Sequence, residues 1–136
     1  MFKYLRSING TVHSEIESFF SIAEPEDFAR VDAGTLFTLA SGLVNGYIPN
    51  FPIYLALSSI NSEEEGYVKA LRLTSDMIFE CDVDTAASSE ICVGTLCGIE
   101  TDNSEKGISL TINDAPAFEV LDISNITKGK VIAKVI

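Results

Sequence analysis

Along most of this chain apolar and polar positions alternate in short runs broken by turn residues, the pattern of strands with one buried and one wet face. The clearest run is 77–83, where Met77, Phe79, Cys81 and Val83 alternate with Ile78, Glu80 and Asp82, so Cys81 is expected to point inward. Comparable runs lie at 35–40, 43–48, 53–58, 67–74, 95–100, 108–112, 118–123 and 131–136. The punctuation between them is chemical. Ser41-Gly42 turns the chain, and Pro49-Asn50-Phe51-Pro52 interrupts any central strand because proline cannot donate to a ladder. A solvated stretch at 61–66, small residues at 84–90, a polar turn at 101–107 and Lys128-Gly129-Lys130 complete the series. About nine short strands at hairpin spacing predict an all-β fold, a compact antiparallel β-barrel or sandwich.

The N-terminal segment reads differently. Residues 1–6 are extended and Asn9-Gly10 is a turn signal. Residues 11–20 admit two readings: Val12, Ile16, Phe19 and Phe20 fit a helical stripe, and the same residues fit an extended arm. Residues 23–34, with Glu24-Pro25-Glu26-Asp27 and Asp32-Ala33-Gly34, read as a surface connection. The expected division is therefore a distinct N-terminal arm at 1–22 and a β-barrel or sandwich body at 23–136.

Length and charge narrow the function. The 136 residues match one domain, and 46% hydrophobic residues suit a folded chain. Twenty acidic against nine basic side chains give a net charge of −11, which repels phosphate backbones and anionic headgroups. No apolar run approaches the ~20 residues of a spanning helix, and the first residues lack a signal-peptide apolar stretch, so synthesis in the cytoplasm is expected. Three cysteines, Cys81, Cys92 and Cys97, suit buried reduced thiols better than a disulfide framework.

No pattern of catalytic chemistry emerges. His13 is the single histidine, so any histidine-based triad must use it, and it has no nucleophile context. The cysteine spacing matches no structural zinc motif, and the glycines form no phosphate loop. Asp82 and Asp84 could share a strand face, a geometry open to a glycosidase or a divalent cation, and the turn at 102–105 could hold calcium; solvated turns are the plainer reading of both. The chain is expected to be no enzyme and to need no cofactor or metal.

A family likeness rests on the order of several segments: Thr35-Leu-Phe-Thr-Leu-Ala-Ser-Gly42, Leu73-Thr-Ser-Asp-Met-Ile-Phe-Glu-Cys-Asp-Val83, Ile91-Cys-Val-Gly-Thr-Leu-Cys-Gly-Ile99, Val120-Leu-Asp-Ile-Ser124 and Gly129-Lys-Val-Ile-Ala-Lys-Val-Ile136. From residue 35 onward this order resembles small bacteriophage capsid decoration, or cement, proteins and their prophage relatives. The resemblance implies a barrel-like body on the outside of an assembled head, a virion location, and a major capsid protein or other large assembly as partner, with a homo-oligomer left open. It also implies an N-terminal arm reaching a neighbour. Phe2, Tyr4, Leu5, Ile8 and Val12 are then the partner contacts, made by β-addition or apolar anchoring. The rival reading is a small β-barrel ligand- or carbohydrate-binding module, with Tyr47, Phe51 and Tyr67 lining a site and acidic turns holding a cation.

Overall fold

The computed structural model describes residues 1–8, 17–21, 31–40, 43–60, 66–102 and 106–136. In chain order its strands are β1 (Phe2–Ser7), β2 (Glu17–Ser21), β3 (Leu36–Ala40), β4 (Leu43–Asn45), β5 (Tyr54–Ala56), β6 (Gly66–Arg72), β7 (Met77–Asp82), β8 (Leu96–Thr101), β9 (Gly107–Thr111), β10 (Phe118–Asp122) and β11 (Lys130–Val135). The only helical elements among the described residues are 3-10 turns at Ser88–Glu90 and Ile126–Lys128. The chain is all-β, and among the described residues its pairings are antiparallel except at Phe20 with Leu43 and at an isolated bridge from Val83 to Leu110. All nine strands expected from the alternation are present, joined by β1 and β2.

The strands divide between two compact units. Unit 1 holds Met1–His13, Thr74–Glu100 and Ile108–Ile136; unit 2 holds Ser14–Leu73 and Thr101–Gly107. Most of unit 2 is thus inserted in sequence between β1 and β7, with Thr101–Gly107 as a second piece, and no boundary falls at 22/23. Residues 1–8 belong with the C-terminal half of the chain, and β2 belongs with residues 31–73.

In unit 1 the strand order is β1-β7-β11-β10-β8-β9. The far side returns to the beginning: Val83, just past β7, bridges Leu110 of β9, and the Met1 ammonium donates to the Ile108 carbonyl at 2.8 Å. Closing a sheet on itself removes the unpaired edges that invite aggregation. The interior is filled by the inward residues of each strand. Phe2, Phe79 and Phe118 form an aromatic cluster, with Phe2 stacked on Phe118 at 5.7 Å and Phe79 edge-on to Phe118 at 5.9 Å. Met77, Cys81, Cys97, Leu110, Val120, Val131 and Ala133 complete it. Gly98 sits at a close approach: a Cβ there would lie 1.8 Å from the Asn113 side-chain oxygen, so a larger residue would displace that amide.

Unit 2 closes in the same way with five strands, β3-β4-β2-β6-β5, the last pairing back to β3 through Leu36 with Leu55 and Phe37 with Tyr54. Its core joins Val31, Phe37, Val44, Tyr54, Ala56, Ile60, Val68 and Ala70, with Phe19 and Leu39 packed against it. Phe19 decides the ambiguous segment, as far as it is described. Residues Glu17–Ser21 are a strand because cross-strand pairing with β6 places the Phe19 ring 4.8 Å from Tyr54 and 6.3 Å from Phe37. Local helical spacing gives way to this tertiary burial. Residues 11–16 lie outside the described residues.

Two of the three cysteines are buried as expected, and Cys92, on the turn before β8, is not. Cys81 and Cys97 are buried and Cys92 is exposed, with its Sγ 3.3 Å from the Thr95 hydroxyl. Burial pushes the Cys81 and Cys97 thiols up, away from the reactive thiolate. A thiol-reactive dye should therefore label one cysteine per native chain and three after denaturation. Rapid native labelling of two or more would contradict the assigned interior.

Candidate interaction surface

Of the residues expected to contact a partner, the described ones, Phe2, Tyr4, Leu5 and Ile8, are separated by a single irregularity in β1. Phe2, Lys3 and Tyr4 stand opposite Cys81, Glu80 and Phe79, and then the register shifts so that Arg6 faces Ile78 and Ser7 faces Met77. Leu5 is the extra residue of a β-bulge, which reverses the alternation beyond it. Strict alternation would have aimed Arg6 into the core. With the bulge, Phe2, Tyr4 and Ser7 take the inner side with Cys81, Phe79 and Met77, while Lys3 and Arg6 face outward.

The consequences differ residue by residue. Phe2 is a core residue against Phe118. Tyr4 is half-buried, edge-on to Phe79, with its hydroxyl 2.7 Å from the Ser7 hydroxyl. Leu5 and Ile8 are the exposed members, at 40% and 49%, and the Ile8 N–H donates to the Asp76 carbonyl at 2.7 Å, which fixes the strand's exit. Val12 and His13 lie outside the described residues. The structure thus brings Lys3, Leu5, Arg6 and Ile8 onto one outward segment and withdraws Phe2 from it. One side of β1 is already bound along its length by β7, so side chains rather than backbone groups are what this side offers.

Charge on the same sheet is organised around Asp82. Its carboxylate accepts from the Met1 ammonium and from Lys130 Nζ at 2.7 Å. Partial burial alone would raise the Asp82 pKa, but these two cationic donors outweigh it and hold the carboxyl below its usual value. The same bond raises the Lys130 pKa. Lys134 lies 3.9 Å from Glu119. Among the described residues Lys3 and Arg6 make no ion pair, although Glu80 stands across from Lys3.

A carboxylate with a lowered native pKa contributes stability above its unfolded pKa and loses that contribution as pH falls through the native value. Asp82→Asn should therefore lower the melting temperature at neutral pH, and the gap to wild type should close once the pH falls below about 3.9, the unfolded aspartate value, and through the lower native one. A gap that persists unchanged at pH 2 would contradict the role of the carboxylate charge.

The other candidates disperse. Phe51 is 52% exposed on a turn where Asn50 has a φ of 71°, and Tyr67 is 69% exposed at the start of β6. Tyr54 of β5 pairs with Arg72, at the end of β6, so Phe51 and Tyr67 sit at opposite ends of that ladder; Tyr47 is buried. Asp84 is occupied locally, accepting from the Ala86 N–H and the Thr111 hydroxyl, each at 3.3 Å. Asp102 Oδ1 accepts the Lys106 N–H at 3.0 Å, and residues 103–105 lie outside the described residues. Among the described residues no three His, Cys, Asp or Glu side chains gather to hold a metal ion. A shallow surface depression is lined by Glu80, Asp122, Asn125, Lys130, Val131 and Ile132, with Lys130 already tied to Asp82. Among the described residues no helix is long and apolar enough to cross a membrane.

Neither the bulge nor the Asp82 hub was apparent from the sequence. The adjacent pair Leu5-Arg6, where alternation demands one inward residue, is the only local trace of the bulge. No family model matches the chain, and neither a curated protein nor a solved structure matches it.

Proposed function

We propose that this protein is a non-enzymatic structural protein that attaches to the surface of an assembled phage capsid and stabilises it. The observation that carries the reading is the exposed pair Leu5, in β1, and Ile8, just past its end, on a segment that Phe2 anchors in the core. Exposed apolar side chains held on a rigid element lose little entropy on docking. The resemblance of the segment order to that of capsid decoration proteins supports the same role. In this form the attachment segment is a barrel strand, already ordered before it meets its partner.

Density-gradient sedimentation of the native source lysate, followed with an antibody to the protein, tests the reading. Co-migration with megadalton particles is expected. A signal confined to small soluble fractions would overturn it and favour the ligand-binding module, for which the exposed rings of Phe51 and Tyr67 are the specific observation.

A further inference from the structure

We propose that the partner surface met by β1 is an acidic protein surface, read by Lys3 and Arg6 on either side of Leu5. The inference rests on the attachment reading and names the chemistry of its partner.

In a chain with 20 acidic and nine basic side chains, a basic residue has carboxylates in excess to choose from. Lys130 and Lys134, on β11 of the same sheet, take Asp82 and Glu119. Lys3 and Arg6 are exposed and, like Lys69, Arg72 and Lys128, close no ion pair among the described residues; they stand beside the exposed Leu5 and Ile8. Arg6 owes its outward direction to the bulge at Leu5, so the irregularity that exposes the apolar anchor also presents the guanidinium beside it. Two uncommitted cations interleaved with two exposed aliphatic side chains complement a surface that offers carboxylates around apolar sockets.

Nucleic acid and anionic lipid share the negative charge but fit less well. Two cations on a chain of net charge −11 give little counterion release, and Leu5 and Ile8 offer no aromatic face for bases. A protein surface uses both halves of the segment. The local pairs act at contact range, where screening is weakest, while long-range repulsion by the remaining acidic residues is damped within about 8 Å at physiological salt.

The test uses particles from the native source, freed of this protein by washing and repurified, and pelleted with the full-length chain. Wild type, Lys3→Glu/Arg6→Glu and the charge-preserving Lys3→Arg/Arg6→Lys variant are compared at about 0.05 and about 0.5 M salt, either side of the physiological Debye length. Wild type and the charge-preserving variant should bind, more weakly at high salt, and the reversal should lose at least tenfold in affinity while keeping the wild-type melting temperature. A reversal variant that binds as well as wild type would overturn the inference and leave the attachment reading intact. If wild type itself stays in the supernatant, the attachment reading falls and the inference with it. Binding abolished by nuclease, or reproduced on vesicles of anionic phospholipid, would overturn the protein partner in favour of the other class.

Discussion

Deleting residues 1–8 is expected to unfold unit 1. The segment supplies β1, five register pairs with β7, the Phe2 ring in the aromatic cluster and the Met1 ammonium on Asp82 and Ile108. Loss of a buried phenylalanine alone costs about 3–5 kcal/mol, and a domain has only about 5–15 kcal/mol in hand. The deletion also exposes the edge of β7, with Met77, Phe79 and Cys81 left without a covering strand. The truncated chain should therefore lose its cooperative thermal transition for unit 1 and be prone to aggregate. A truncated chain that melts as wild type does would show that the segment is a separable arm.

Phe118→Ala should be the most damaging single substitution. Phe118 is fully buried and touches both Phe2 and Phe79, so truncation removes two ring contacts and leaves a cavity where three strands meet. The expected loss is about 3–5 kcal/mol, read as a fall in the urea midpoint at unchanged m-value. Phe51→Ala provides the contrast, because its ring is half-exposed and outside both cores; it should stay within about 0.5 kcal/mol of wild type. A loss below about 1 kcal/mol for Phe118→Ala would mean that the ring cluster is not the centre of the unit 1 core.

The strands from Leu36 onward were legible because their pattern has the two-residue period of a half-buried sheet. Met77, Phe79 and Cys81 face inward as the alternation requires, while Ile78 is buried as well, which the alternation does not foretell. The turn positions were legible for a different reason: Gly129 has a φ of 76°, a conformation that disfavours side chains with a Cβ. Two closed units were not legible. Closure depends on pairings such as Leu36 with Leu55 and Val83 with Leu110, which join residues distant in sequence and leave no local periodicity. The same limit explains β1 and β2. An N-terminal strand that pairs across an inserted unit looks, from its own residues, like an arm, and Phe19 fits a helical stripe until Tyr54 and Phe37 are placed around it.

The candidate surface was half legible. Leu5 and Ile8 were recognisable as apolar residues in an N-terminal segment, but the sequence grouped them with Phe2 because only the β7 partner shows which face each takes. The bulge divides the group into an anchor that holds the strand and a pair that can meet something else.

The most direct test of this account separates those two halves in one experiment. Leu5→Ser/Ile8→Ser and wild type are compared for thermal unfolding and for co-sedimentation with particles from the native source. The double variant should melt with wild type, since both side chains are exposed, and should fail to pellet with the particles. A double variant that pellets as wild type does would contradict attachment through this strand.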